Sequence, residues 1–309
     1  MIIGHEKQRN FLKRSIQNNR VAHAYLFYGP GKIGKKAIAL EFTKLLVNPS
    51  QESNIVSDLT LIKPECSVDK EGEKKESSRA IIPVAQIFDL KTKLSLSAIG
   101  QNYKVAIIDE ASEMTADAQG ALLKLLEEPK GKTVIILLSQ QLNRLTSTIV
   151  SRCQVIRFDL LSNKKIEKYL IQQNISVRKA QELSWLSFGK PGLAIDCLNN
   201  PKQEKFQREK IKGINQLVDS SLKIRFQYAE KLSKKREETN KVLDIWLNYF
   251  RELLLNKFGN RQVPADFQKN NYSIQHLKKI INLIEKIKFV LFRTNANPRL
   301  ALEVLLMKI

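Results

Sequence analysis

The apolar run Ala24-Tyr25-Leu26-Phe27-Tyr28 leads straight into Gly29-Pro30-Gly31-Lys32-Ile33-Gly34-Lys35-Lys36, after which a helical pattern begins. A G-x-x-x-x-G-K pattern has chemical meaning in this setting, with a strand before the loop and a helix after it. Gly29, Gly31 and Gly34 let the backbone wrap an anion, the amides and the helix N-terminus point at it, and the Lys35 ammonium reaches terminal phosphates. The next position calls for Ser or Thr, whose hydroxyl binds magnesium, but Lys36 stands there. A lysine offers donors and no acceptor, so it cannot ligate the metal. Held about 4 Å from Mg²⁺ at an effective dielectric near 20, its ammonium would be repelled by roughly 8 kcal/mol, and an outward swing of the side chain relieves most of that. The expectation is a degenerate ATP site: weak ATP and magnesium binding at most, no efficient hydrolysis and no cofactor required.

A second apolar run, Val105-Ala106-Ile107-Ile108, ends in Asp109-Glu110. Asp109 is expected at the strand's carboxyl end near the magnesium position, with Glu110 as a vestigial or weak activator of water. The same two acids also suit a helix cap. Further on, Ser151-Arg152-Cys153 closes the stretch from Ser139. Arg152 is always charged and able to bracket phosphate oxygens; its alternative role is to tie a loop to a carboxylate. His5, His23 and His276 lack ligand spacing, and Cys66, Cys153 and Cys197 include no C-x-x-C pair, so no metal site and no disulfide framework is expected. Trp185 and Trp246 lie in helical patterns, which favours core over base-stacking roles.

These residues need a scaffold, and the first half of the chain supplies strand-like runs alternating with helical stretches, as in an α/β domain with a parallel sheet. The strand candidates are 24–28, 105–108, 134–138 and 155–158, with a weaker one at 59–62; the helices are Lys35 to Val47, Val84 to Leu96 and Ala116 to Glu127, the last stopped by Pro129. The charged, proline-containing stretch from Asn48 to Arg79 reads as an exposed insertion. Strand signals cease after Phe158. The expected division is an α/β nucleotide-binding-type domain over 1–160, a small helical lid over 161–200 and an all-helical collar over 201–309. With 309 residues, 43% apolar and 27% charged, the composition is that of a globular protein, and no run approaches the roughly 18 apolar residues of a membrane span. No signal core follows Met1, so the expected location is cytoplasmic. The formal charge of +21 favours phosphate backbones or acidic partners.

The order of Ala22-His23-Ala24-Tyr25-Leu26-Phe27, the phosphate loop, Ile108-Asp109-Glu110-Ala111, Leu122-Leu123-Lys124-Leu125-Leu126-Glu127-Glu128-Pro129 and Ser151-Arg152-Cys153 closely resembles bacterial DNA polymerase III clamp-loader subunits of the AAA+ class, and Asn297 to Glu303 looks like the end of their collar. The resemblance implies an arginine finger at Arg152, acting in trans on ATP held by a neighbouring subunit. It implies as partners the gamma/tau and delta subunits, a sliding clamp and primed DNA. Relatives often carry a lid arginine after Pro-Gly, where this chain has Leu193, and many hold zinc through four cysteines, where it has only Cys66; no zinc is expected. The altered phosphate loop at Lys36, the missing lid arginine and the intact Ser151-Arg152-Cys153 together resemble the delta-prime type more than the hydrolysing gamma/tau subunit. The alternatives are a gamma/tau-type subunit that hydrolyses ATP itself, and an AAA+ remodelling ATPase outside replication.

Overall fold

The structure is a computed structural model that describes residues 2–47, 59–66, 80–95, 103–129, 131–259, 264, 267, 272–294 and 296–309, the side chains of 236, 237, 292 and 293 excepted. Most of the expected insertion over 48–79 lies outside the described residues. The chain divides into two compact units, Met1–Leu161 and Ser162–Ile309.

In the first unit α1 (Glu6–Gln17) and α2 (Lys35–Val47) flank β1 (Ala24–Tyr28). There follow β2 (Leu59–Ile62), α3 (Val84–Ser95), β3 (Lys104–Ile108), α4 (Ala116–Glu127), β4 (Thr133–Ser139), α5 (Ser147–Ser151) and β5 (Gln154–Arg157). Every expected strand is present, including the weak candidate at Leu59, which forms the sheet edge in the order β2-β3-β4-β1-β5. All the pairings are parallel.

The central strands are buried on both faces, which is why they read as continuous apolar runs. Alternation then sorts their side chains. Leu26, Ala106, Ile108, Ile135 and Leu137 face a core completed by Ile87 and Leu90 of α3, Leu122 of α4 and Ile149 of α5. Tyr25, Phe27, Val105, Ile107, Ile136 and Leu138 face the other, with Leu12 of α1 and Ile38, Phe42 and Leu46 of α2. Each such aliphatic or aromatic side chain contributes about 1.5–3 kcal/mol of transfer free energy.

The sequence reading did not foresee α1, and burial explains why: Leu12 is its only fully buried side chain, while Phe11 stays 46% exposed. Its start is fixed from outside the helix. His5 adopts a left-handed φ of 59°, and its buried ring donates from Nε2 to the Ile33 carbonyl at 3.0 Å and sits edge-on to Phe158 at 5.0 Å. A carbonyl only accepts, so Nε2 carries the proton. The imidazole thereby pins the beginning of α1 to the glycine-rich loop.

The second unit is helical: α6 (Asn163–Gln172), α7 (Val177–Leu186), α8 (Pro191–Asn199), α9 (Pro201–Val218), α10 (Leu222–Ser233), α11 (Arg236–Lys257), α12 (Ile274–Arg293) and α13 (Pro298–Lys308). Proline opens α8, α9 and α13, where its missing N–H costs nothing. Asn200, Ser273 and Asn297 cap α9, α12 and α13 with their side-chain oxygens. Trp185 of α7 stacks on Phe267 at 4.6 Å and meets Tyr249 of α11 edge-on at 6.4 Å, while Trp246 donates from Nε1 to the Lys210 carbonyl at 3.0 Å. Both tryptophans are therefore core residues, as their spacing suggested. Among the described residues no helix is long and apolar enough to cross a membrane.

Candidate functional site

Parallel register gathers the loops that follow β1, β3 and β4. Tyr28 lies opposite Ser139, and Ile108 opposite Leu137, so the glycine-rich loop, Asp109-Glu110 and Gln140 all leave the carboxyl edge of the sheet. β1 connects to β2 on one side of the sheet while its neighbour β4 connects to β5 on the other, and it is between two such strands that α/β sheets place their ligand crevice.

Gly29 anchors the loop by donating its N–H to the Ser139 carbonyl at 3.2 Å. A Cβ at this position would come within 2.3 Å of the Phe158 carbonyl oxygen, a backbone atom with no room to yield, so only glycine serves. Gly34, at φ 107°, turns the chain into α2, and the amides of Gly34, Lys35 and Lys36 donate to no carbonyl among the described residues. Those are the orphan donors of a helix N-terminus, and they suit an anion.

The two lysines are committed elsewhere. Lys35 is buried, and its ammonium donates to Gly29 O at 2.6 Å and Pro30 O at 2.7 Å, folded back into its own loop. Burial pushes its pKa down to about 8, against the pull of Glu110 and Asp109. Lys36 turns toward the acid: its Nζ lies 2.8 Å from Asp109 Oδ2 in an ion pair. The carboxylate at the magnesium position thus has an ammonium as its counter-ion.

Glu110 follows in a left-handed conformation, φ 51°, and its two carboxylate oxygens accept from Gln140 Nε2 at 2.8 and 3.1 Å. Gln140 also closes over the loop, because a Cβ on Gly31 would meet its Oε1 at 2.9 Å. Sequence reasoning did not single out Gln140. Its signal was positional, the first residue after the strand that neighbours β1 in the sheet. Magnesium, which the AAA+ fold implies, does not fit these residues: position 36 has no hydroxyl, and Asp109 is neutralised by an ammonium.

Arg152 ends α5 with its side chain 38% exposed, its Nη2 paired to Glu127 Oε1 at 2.7 Å and its Nη1 donating to Thr148 O at 3.2 Å. No hydrogen bond or ion pair among the described residues joins it to the glycine-rich loop or its acids. The neighbouring Cys153 thiol is pushed up to about 12 by burial and is not a nucleophile. Leu193, where a lid arginine was sought, is 5% exposed in the first turn of α8, an aliphatic residue packed into the second unit.

Residues 4–162, just over half of the chain, match the family described as DNA polymerase III, delta subunit. Among known proteins the chain is 35% identical over 188 residues to DNA polymerase III subunit delta′ of Bacillus subtilis (strain 168), a match covering 56% of this chain and 53% of that one. It is 37% identical over 136 residues to subunit delta′ of Pseudomonas aeruginosa, covering 43% and 42%, and 24% identical over 348 residues to subunit tau of B. subtilis (strain 168), covering 100% and 60%. These matches span between 42% and 60% of the relatives' own lengths. A gamma subunit-related protein of DNA polymerase III from Thermotoga maritima MSB8 superposes with a TM-score of 0.53 at 18% identity over 98% of this chain and 97% of that one, a likeness of fold. A parallel five-stranded sheet with a glycine-rich loop after β1, and a family match that covers this whole sheet, lead to one assignment: the chain belongs to the family described as DNA polymerase III, delta subunit.

Proposed function

We propose that the chain is a delta-prime-type subunit of the DNA polymerase III clamp loader, acting without hydrolysing ATP itself and lending Arg152 to ATP bound by a neighbouring subunit. The observation that carries this reading is the Lys36–Asp109 ion pair, which closes the chain's own metal position while Arg152 remains at the surface. The two delta′ relatives support the same reading. The proposed partners are gamma/tau and delta subunits, a sliding clamp, and primed DNA met through its backbone, toward which a formal charge of +21 is favourable. The setting is the cytoplasm.

The test is clamp loading by the reconstituted complex containing Lys35→Ala. Loading within about twofold of wild type is expected, because this ammonium serves its own loop and no substrate phosphate. A loss of about a hundredfold or more, the scale on which electrostatic stabilisation of a reacting group is felt, would reassign the chain as an ATP-hydrolysing motor.

A further inference from the structure

The magnesium that the fold implies does not fit this site, and the reason is a specific substitution of one cation for another. Lys36 is the first residue after the G-x-x-x-x-G-K pattern, at the start of α2, and Asp109 follows the last residue of β3. In the usual arrangement a hydroxyl at the first position and a carboxylate at the second meet on the metal. Here an Nζ–Oδ2 contact of 2.8 Å joins the two positions directly, across 73 residues of sequence. The neighbouring groups are arranged consistently. Glu110 accepts from Gln140, and Lys35 donates to the Gly29 and Pro30 carbonyls, so each of the four charged groups at this edge has a partner of its own. Charge gives the same answer: Lys35 and Lys36 balance Asp109 and Glu110, whereas a hydroxyl at position 36 would leave one net negative charge for a metal to offset.

We infer that the Lys36 ammonium is the resident cation of this site, occupying the divalent-metal position on Asp109 and excluding Mg²⁺ or Mn²⁺ from it. Lys36 thus determines which ligands the loop admits: an anion that enters it does so without an accompanying divalent cation. The inference deepens the reading that the chain does not hydrolyse ATP. It concerns the isolated chain, whereas the role of Arg152 is expressed only in the assembled complex, so each can fail alone.

The experiment is titration of the purified chain with Mn²⁺, without nucleotide, following the free-ion signal by electron paramagnetic resonance. Wild type is expected to leave that signal as Asp109→Asn does, with no site-specific ion bound at millimolar metal. Lys36→Thr is expected to gain about one bound ion per chain, as a divalent site completed by a hydroxyl would, and Lys36→Thr/Asp109→Asn to lose it again. Lys36→Ser, which also supplies a hydroxyl, is expected to give the same gain if the threonine variant does not fold. A wild-type chain that binds an ion abolished by Asp109→Asn would overturn the inference, as would folded Lys36 variants that bind no more than wild type. The wild-type comparison with Asp109→Asn tests the exclusion itself, and the Lys36 variants assign it to this ammonium.

Discussion

Arg152 is held by Glu127, with Nη2 and Oε1 2.7 Å apart, at the point where α4 ends. Glu127 carries its negative charge at a helix C-terminus, the end where a carboxylate is unfavourable, and the guanidinium compensates it. The bond between Arg152 and a carboxylate, weighed in the sequence against a role toward phosphate, is therefore present. It does not exclude the other role.

With side chains 38% and 49% exposed, the Arg152–Glu127 pair is screened by solvent and is worth about 1 kcal/mol or less. Glu127→Ala should accordingly change stability by no more than about 1 kcal/mol in urea unfolding followed by circular dichroism, and the effect should shrink at high salt. A much larger loss would mean that the pair organises α5 and is not a weak, exchangeable tether.

Lys35 gives the first unit a distinct pH dependence. Its native pKa of about 8 lies below the ordinary 10.5, so between those values the unfolded chain holds a proton that the native chain has released, and stability contributed at this position rises with pH. Between pH 8 and 10.5 the stability of wild type relative to Lys35→Met should increase by about 2–3 kcal/mol, following the size of the shift. Paired urea titrations across that window measure it; a flat or falling difference would show that the ammonium is not disfavoured by burial.

In the second unit the Tyr249 hydroxyl donates within a buried pair of acceptors, Asn215 Oδ1 and Phe267 O, each 2.8 Å away. Tyr249→Phe leaves the Asn215 oxygen without that partner, while Phe267 O keeps a 3.3 Å bond from Asn215 Nδ2. The expected cost is about 1–3 kcal/mol, the penalty of an unsatisfied buried acceptor, read from thermal unfolding.

How far the sequence carried depended on the range of the interactions concerned. The three central strands were legible because parallel strands buried on both faces must be continuously apolar, while the edge strand Leu59–Ile62, half-exposed and interrupted by Thr60, gave only a weak signal. α1 was not, since it buries a single leucine and is fixed by His5 reaching the Ile33 carbonyl, a contact no local pattern encodes. The departure at Lys36 was visible as a residue type, but its destination was not. The swing reasoned from the sequence concerned a lysine beside a metal ion, and the partner the side chain takes here, a carboxylate 73 residues away, is set by the fold. Gln140 escaped notice for the same reason: its importance comes from sheet order, which sets the end of β4 beside the loop after β1.

The most direct test of the account is single-turnover ATP hydrolysis by the reconstituted clamp loader carrying Arg152→Ala in this chain. An arginine finger contributes about 10³- to 10⁵-fold in rate, so hydrolysis at the one site facing this chain should slow by about 10³-fold or more and one fast phase should disappear, while Lys35→Ala leaves all phases in place. Unchanged hydrolysis with Arg152→Ala, together with a lost phase in Lys35→Ala, would contradict the account and move catalysis to the chain's own loop.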